Sequence, residues 1–427
     1  MLLKRGLKKD LPTLLEGEMG LATDTKELYI GSANGNVKIA GQGAVDALAG
    51  NTQAAFDLAQ KNNGQIGDLS KRNGAFGYNL NNALFNYRIA LSNASNQIVK
   101  VDCIGDSITR GEYSSDEPSK SWVAILRKNL QAKYGNDPGE GFINSYEGGM
   151  PAGSNPRWTR GAGWSSLANG RGGFMINSNG NTTPSTVTFK GDSVTLLFSK
   201  TTDGGKADIL IDGVNKGIID CYATATDFTP STTYTGLGAG THVMTITPQT
   251  TARLFIEGVI ENSGATKGIQ VNRLGISGRK TSEWLDVKNR PRLETVKPHL
   301  AIISLGMNDV KTIDEVTFKT NLGDLIKLYQ SYGASVVVNA YFQPSSSWVT
   351  SDKWDSFLKV MYELADELNV GLIDIYNAFG KSYTLAQSKG LFGPSTNDYT
   401  GNSGTNSAHP GDKGYAYIGH IVSQYLV

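Results

Sequence analysis

The sequence of 427 residues predicts an α/β protein built on a parallel sheet that helices cover on both faces. After residue 271, apolar strand-like runs alternate with amphipathic helical stretches. Between residues 163 and 262 the chain instead has short alternating strands with Gly-rich turns, which is typical of a β-sandwich, here inserted into the α/β domain. Ahead of residue 96 the pattern predicts a small β module followed by a helical stalk.

The first segment, residues 1–42, is the predicted β module. Residues 15–31 alternate in apolar character, and turn signals lie at Asp24-Thr25 and at Ala33-Asn34-Gly35. This run resembles the N-terminal module of bacteriophage tail fibres and receptor-binding proteins. The resemblance implies a virion protein attached through its N-terminus, with tail or baseplate proteins as partners. A generic β-hairpin cap is the alternative.

Residues 43–95 are predicted to form a helical stalk that joins identical chains. Apolar and small residues recur there at spacings of three and four, as in a coiled coil. The apolar stripe is too thin for a solitary helix, so parallel association as a homotrimer is expected. The alternative is a helix packed on the chain's own α/β domain. The stripe consists of Val45, Leu48, Thr52, Ala55, Ala59, Asn62, Ile66, Leu69, Phe76, Leu80, Ala83, Tyr87, Ala90 and Ala94.

The α/β domain is predicted in two parts, residues 96–162 and 266–427, with the insert at residues 163–265. The first part opens with an apolar strand over 98–104, and Gly105 permits a sharp turn that leaves Ser107 at the carboxyl end of that strand. The insert resembles jelly-roll modules that bind carbohydrate, and a purely structural role is the alternative. In the second part, strands are expected at 271–276, 300–305, 334–340 and 371–375, and helices near 313–331, 353–368 and 412–425.

Ser107 is a candidate nucleophile, because reacting groups gather at the carboxyl ends of parallel strands. A nucleophilic serine needs a base, and imidazole has a pKa suited to that role near neutral pH. His242 falls in a strand of the insert, His299 at a strand entrance and His420 inside the last predicted helix. His409 lies in the loop before that helix, which makes it a candidate base for Ser107.

Four short blocks resemble those of the SGNH (GDSL) hydrolase family and occur in that family's order. The resemblance covers residues 96–150 and 266–427. It implies a flavodoxin-like three-layer fold, serine esterase activity without a cofactor, and covalent catalysis by Ser107 and His409. It also implies an oxyanion hole made by the backbone N–H groups of Ser107 and Gly278 and the side-chain amide of Asn308. The blocks are Gly105-Asp106-Ser107, Leu274-Gly275-Ile276-Ser277-Gly278, Gly306-Met307-Asn308-Asp309 and His409-Pro410.

One position departs from that family's pattern. The family usually has an aspartate three residues before the histidine, where this chain has Asn406. Asn406 is a candidate orienter of His409, but an amide brings no negative charge to stabilise the imidazolium. The alternatives are a working Ser–His dyad, a carboxylate from elsewhere (Asp398 and Asp412 are the sequence neighbours), or a weakened enzyme. Asp106 is expected to hold its loop.

A loop at the start of the insert combines aromatic, cationic and glycine residues. Trp158, Arg160 and Trp164 are candidate substrate-binding residues, because flat rings and hydrogen-bonding cations suit sugar rings. Arg157 and Arg160 would also suit a polymer that carries phosphate. A loop that only packs between domains is the alternative.

Composition excludes several other classes of function. Forty Lys and Arg residues against 39 Asp and Glu leave a net charge of +1, which gives no electrostatic footprint for nucleic acid. The two cysteines, Cys103 and Cys221, fall in different predicted units, so no disulfide framework and no metal site is expected. The start of the chain does not read as a signal peptide, and no apolar run is long enough for membrane insertion.

These features predict a phage tail or receptor-binding esterase of the virion that acts at the host cell surface. Its expected reaction is removal of O-acyl groups, O-acetyl foremost, from a bacterial surface polysaccharide or teichoic acid. The alternative is a non-catalytic receptor-binding fibre that keeps the fold as a glycan-binding surface, which Asn406 favours. A third hypothesis, a secreted lipase-like bacterial enzyme, is opposed by the N-terminal module.

Overall fold

The N-terminal residues form a small four-stranded sheet. The computed structural model describes residues 4–15, 19–25, 27–40, 71–135, 139–146, 157–167, 170–171, 173–262, 267–286, 292–393 and 407–426. It divides the chain into two compact units, Met1–Ile66 and Gly67–Val427. In the first unit a short 3-10 helix, Lys8–Asp10, follows the first strand. The strands, which pair in chain order, are β1 (Lys4–Gly6), β2 (Met19–Ala22), β3 (Glu27–Ser32) and β4 (Gly35–Ala40).

Residues 71–95 pack on the α/β domain, so the predicted stalk does not reach residue 95. They form two short strands, the second of which pairs antiparallel with the strand Gly371–Asp374, and two short helices. Their buried side chains join the core of the α/β domain. For this part the structure shows the alternative, packing on the chain's own domain, and residues 43–70 of the predicted stalk lie outside the described residues. The elements are β5 (Arg72–Asn73), β6 (Gly77–Tyr78), α1 (Leu80–Ala83) and α2 (Phe85–Ser92).

We expect deletion of residues 1–70 to leave a folded α/β domain and deletion of residues 1–95 to unfold it. The longer deletion removes Tyr78, Leu80, Leu84, Tyr87 and Leu91, all buried in the core. Each is worth about 1.5–3 kcal/mol, so their sum is comparable to the whole stability of a typical domain. Thermal unfolding and soluble yield of the two truncated chains test this. Equal melting temperatures would contradict it.

The first part of the α/β domain leads directly into the β insert. Its elements are β7 (Ile98–Gly105), α3 (Ser107–Arg110), α4 (Glu117–Lys120) and α5 (Trp122–Tyr134). The next strand, β8 (Phe142–Asn144), already pairs with a strand of the insert, Phe255–Asn262. The β region therefore begins near Phe142, about twenty residues before the predicted boundary. The sequence prediction misses this strand because Phe142–Asn144 is too short to show a strand period.

Two antiparallel sheets make up the insert and share one apolar cluster of buried side chains. The strands are β9 (Trp158–Thr159), β10 (Ser165–Leu167), β11 (Met175–Asn177), β12 (Ser185–Lys190), β13 (Ser193–Phe198), β14 (Lys206–Ile211), β15 (Val214–Asp220), β16 (Ser231–Tyr234), β17 (Thr241–Pro248) and β18 (Phe255–Asn262). One sheet has the order β10-β11-β18-β13-β16 with β8 beside β18, and the other has the order β15-β14-β17-β12-β9.

The second part of the α/β domain completes its parallel sheet. Its elements are β19 (Gly268–Gly275), α6 (Thr281–Leu285), α7 (Leu293–Val296), β20 (Leu300–Ser304), α8 (Glu315–Ser331), β21 (Ser335–Ala340), α9 (Ser351–Glu367), β22 (Gly371–Asp374), α10 (Ile375–Ala378), α11 (Tyr383–Ser388) and α12 (Asp412–Leu426). The seven-stranded sheet has the order β19-β7-β20-β21-β22-β6-β5, and its first five strands are parallel. All residues of β20, β21 and β22 are buried, so both faces of the sheet are covered, as their near-continuous apolar sequences require.

A buried ion pair ties the insert to the parallel sheet. Arg171 Nη2 donates to Asp102 Oδ1 on β7 at 2.7 Å, and neither side chain has exposed surface. Asn272 on β19 donates to the same carboxylate oxygen at 2.7 Å. Because an unpaired buried charge is costly, these contacts favour one seating of the insert on the sheet. None of the helices in the described part of the chain is long and apolar enough to cross a membrane.

Candidate active site

The sheet brings three of the four sequence blocks together at one edge. Strand β7 lies between β19 and β20, and the register places Gly105 opposite Gly275 on one side and Ser304 on the other. The chain leaves all three strands at the same level, since parallel strands end at the same edge. Ser107, Gly278 and Asn308 follow within a few residues, so their loops lie side by side.

Ser107 begins helix α3 directly after the turn at the end of β7. Its Oγ lies 2.7 Å from His409 Nε2, within hydrogen-bond distance. The turn needs Gly105, because a Cβ there would lie 2.0 Å from Thr109 Oγ1 and 2.6 Å from the carbonyl oxygen of Ser304. The residues of this block are thus packed so closely that the serine has little freedom to move away from the imidazole.

Asp106 holds the serine turn by capping α3. Its carboxylate accepts a hydrogen bond from the backbone N–H of Ile108 at 2.9 Å. Burial raises the pKa of Asp106 to about 8, and the neighbouring carboxylate of Asp309 acts in the same direction. Asp309 itself accepts from the backbone N–H and the hydroxyl of Thr281 at 3.0 and 2.5 Å. Both carboxyl groups therefore hold loops of the site in place, whereas the hydroxyl of Ser107 is bonded to His409.

The histidine loop is held by backbone hydrogen bonds to two neighbouring segments. The backbone N–H of Gly393 donates to the carbonyl oxygen of His409 at 2.9 Å, and that of Gly411 donates to Leu391 at 3.0 Å. On the other side, the backbone N–H of Ser345 donates to Ser407 at 2.8 Å. These bonds place His409 over Ser107 just before α12 begins.

The two candidate oxyanion loops are bonded to each other. Asn308 Nδ2 donates one of its two hydrogens to the carbonyl oxygen of Arg279 at 3.1 Å, next to Gly278 in the chain. Gly278 has φ of +78°, a conformation that favours glycine, and a Cβ there would meet nothing within 4 Å. The glycine is thus required by its backbone conformation, and the space beside it is open to a ligand.

Glu112 is the carboxylate that acts on His409 within the described residues. Burial lowers the pKa of His409, and the negative charge of Glu112 partly opposes this by raising it. The carboxylate of Glu112 accepts a hydrogen bond from Ser277 Oγ at 2.5 Å. The sequence analysis does not identify Glu112, whose one signal is its place in the turn that follows Ser107.

The two aspartates near His409 in the sequence, Asp398 and Asp412, are the alternative candidates for a carboxylate that acts on the histidine. Asp412 accepts hydrogen bonds from the backbone N–H and hydroxyl of Ser115 at 2.7 and 2.5 Å and pairs with Lys120 at 3.2 Å. Its carboxylate is therefore engaged at the start of α12 and is not the partner of His409. Asn406 and Asp398 lie outside the described residues.

Replacing Glu112 by glutamine is expected to shift the acidic limb of the kcat/KM profile to lower pH. The base must be neutral to accept a proton, so activity is lost as pH falls through the pKa of His409. Removal of the nearby negative charge lowers that pKa further. Asp324→Asn, at an exposed position on α8, is the matched control. A limb that stays in place or moves to higher pH would contradict this role.

Two aromatic rings that sequence reasoning missed flank the imidazole. The ring centroid of Tyr113 lies 4.9 Å from that of His409 and is tilted by 33°, and Tyr113 has a left-handed φ of 68°. Trp348 lies edge to face at 6.5 Å and 81°. Their signal in the sequence is only their position in loops that follow β7 and β21 at the carboxyl edge of the sheet.

The aromatic loop of the insert is a packing element. Trp158 and Trp164 are 3% and 6% exposed and belong to the core of the insert, so neither presents a face to a sugar. Arg160 lies over the Tyr146 ring at 5.1 Å, and Arg157 pairs with Glu261 at 2.5 Å. The predicted substrate-binding role is wrong for the two tryptophans, because both side chains are buried in the core of the insert. Nowhere in the described ranges do three or more His, Cys, Asp or Glu side chains form a group that could hold a metal ion.

Comparisons with known proteins agree with this geometry. Residues 231–417 match the GDSL-like lipase/acylhydrolase family, and residues 3–32 match the major tropism determinant N-terminal domain. A peptidoglycan O-acetylesterase structure has a TM-score of 0.61 at 17% identity, over 82% of this chain and 97% of that one. At this identity the likeness is one of fold.

Two further solved structures are similar to smaller degrees. A lipase/acylhydrolase from Enterococcus faecalis is 20% identical over 37% of this chain and 75% of its own, with a TM-score of 0.30. A two-domain esterase active on acetylated mannans is 11% identical over 80% of this chain and 53% of its own, with a TM-score of 0.38. No curated protein sequence matches the chain.

The fold, the matched family and the serine–histidine contact define a serine esterase of the SGNH class. Residues 231–417 carry the GDSL-like lipase/acylhydrolase domain, and residues 3–32 carry an N-terminal domain of the major tropism determinant type.

Proposed function

We propose that the chain is a phage tail or receptor-binding esterase that removes O-acyl groups, O-acetyl foremost, from a glycan of the bacterial surface. The observation that carries the proposal is the contact of 2.7 Å between Ser107 Oγ and His409 Nε2, with the loops of Gly278 and Asn308 on both sides. The phage role is supported by the N-terminal domain match alone. The choice of a glycan ester is supported by the fold shared with a peptidoglycan O-acetylesterase.

In the first half of the reaction, Ser107 Oγ attacks the ester carbonyl carbon while His409 Nε2 takes its proton. The carbonyl oxygen becomes negative and is met by the N–H groups of Ser107 and Gly278 and by the Asn308 amide. His409 then gives the proton to the departing sugar oxygen. The sugar leaves with a free hydroxyl, and the acyl group stays on Ser107.

The second half reverses these roles with water. His409 takes a proton from a water molecule, whose oxygen attacks the acyl carbon, and the same donors hold the second oxyanion. The proton returns to Ser107 Oγ as the carboxylic acid leaves. In both halves the negative charge of Glu112 favours the imidazolium, since it raises the pKa of His409.

Acetate release from isolated cell-wall polysaccharides of candidate hosts tests the proposal. We expect wild-type protein to release acetate from at least one of them and Ser107→Ala to release none. Binding of a polysaccharide by wild-type protein without any release of acid would instead support the non-catalytic receptor-binding fibre.

The homotrimer remains a prediction that concerns residues 43–70. Light scattering of the full chain is expected to give three chain masses, and the chain without residues 1–70 is expected to be a monomer that hydrolyses p-nitrophenyl acetate. The reason is that the thin apolar stripe before residue 70 needs identical partners. A monomeric full chain would refute association through this segment.

A further inference from the structure

Trp348 is fixed between the base and an oxyanion loop. It lies in the connection from β21 to α9, and its indole N–H donates to the carbonyl oxygen of Met307 at 2.9 Å, one residue before Asn308. Its ring faces His409 edge to face at 6.5 Å between centroids. The side chain is half-buried, so part of the ring remains exposed beside the reacting groups.

A lysine ammonium group lies on this ring. Lys311 Nζ is 4.0 Å from the centroid of Trp348, a cation–π distance, and Lys311 is an exposed residue. It ends the 3-10 helix Asp309–Lys311 that follows Asn308. The ammonium and the imidazole therefore both lie against the Trp348 ring.

The charge of Lys311 has no acidic partner within 4.0 Å among the described residues, whereas the charges of Arg110 and Arg279 are paired. Arg110 is bound by Glu117 at 2.8 Å and Arg279 by Glu283 at 3.3 Å. The carboxylate of Glu112 is held by Ser277. Among the described residues no carboxylate pairs with Lys311, so its positive charge is available at the rim of the site, and a lysine ammonium offers three donors to an anionic oxygen.

We propose that Lys311 and Trp348 form a substrate subsite that selects glycans with an anionic group, a carboxylate or a phosphate, near the acylated sugar. The indole ring contacts the apolar face of a sugar unit, and the ammonium binds the anionic group. This inference rests on the proposed function, because it specifies which acylated glycans the esterase prefers. It replaces the loop at residues 157–164 as the place where anionic polymers are bound.

The test compares three polymers acetylated chemically to the same degree: pullulan, which is neutral, polygalacturonate, which carries carboxylates, and a phosphomannan, which carries phosphates. We expect wild-type kcat/KM at low ionic strength to be about fivefold higher on the anionic polymers than on pullulan, the upper range for an exposed charge pair. Added salt is expected to reduce this ratio. A preference for only one anionic polymer identifies the group bound.

Variants of Lys311 test whether this residue causes the higher kcat/KM on the anionic polymers than on pullulan. Lys311→Met keeps the apolar stem and is expected to bring the ratio close to one, whereas Lys311→Arg is expected to retain it. Lys353→Met, at an exposed position on α9, removes the same charge elsewhere and controls for net charge. A wild-type ratio of one, or an equal loss on all three polymers in Lys311→Met, would overturn the subsite.

Equilibrium binding separates failure of the subsite from failure of the proposed function. Ser107→Ala protein is titrated with each polymer, with and without Lys311→Met. About fivefold weaker binding of the anionic polymers alone supports the subsite even where no ester is hydrolysed, in which case the proposed function fails by itself. Binding unaffected by Lys311→Met, together with active hydrolysis, overturns the subsite and leaves the proposed function intact.

Discussion

Ser107→Ala is expected to lower kcat on p-nitrophenyl acetate by about 10⁴-fold or more, because it removes the attacking oxygen and little volume. Ser107 is 7% exposed, and its Oγ hydrogen bond goes to His409, so the alanine variant should keep the fold. The rate of p-nitrophenol release measures the effect, and thermal unfolding checks that the domain is intact. A folded variant with near wild-type kcat would exclude Ser107 as the nucleophile.

The same assay applied to variants of His409 tests whether the two residues act together. His409→Ala is expected to be almost as damaging as Ser107→Ala, and the double variant to be little slower than either single one. Such non-additivity is the signature of two groups that act as a unit in one proton transfer. Additive losses would mean that the 2.7 Å contact has no part in the reaction.

Asn308→Ala is expected to lower kcat by about 10²–10³-fold with little change in KM, because one donor to the oxyanion is lost only where the charge develops. The amide is already oriented by its hydrogen bond to the carbonyl oxygen of Arg279 at 3.1 Å. Rates on p-nitrophenyl acetate over a range of concentrations separate kcat from KM.

Two controls sharpen the result at Asn308. Asn308→Asp has the same shape but places a negative charge beside the oxyanion, so its kcat should be at least as low as that of the alanine variant. Asn96→Ala, in an exposed turn, is the matched asparagine control. A large rise in KM with unchanged kcat would show that Asn308 binds the substrate and does not stabilise the oxyanion.

The α/β part could be predicted closely from the sequence. The strands expected at 300–305 and 334–340 are observed as Leu300–Ser304 and Ser335–Ala340, and the last helix runs over Asp412–Leu426. These elements have long, strongly periodic apolar patterns that local sequence expresses directly. Residues 71–95 also follow a helical spacing, but a spacing does not say against which surface the stripe packs.

Thus the sequence by itself determined the strand–helix alternation and the serine turn, since each depends on residue type and local period, and it offered Ser107 and His409 as the candidate catalytic pair. Only the tertiary structure decided that Trp158 and Trp164 are interior, that Trp348 borders the imidazole, that Lys311 lies on the Trp348 ring and that the charge of Glu112 acts on His409. Ser107 and His409 are 302 positions apart in the chain. Contacts over such separations depend on strand order and register, which arise from the burial of the whole core and leave no local signal.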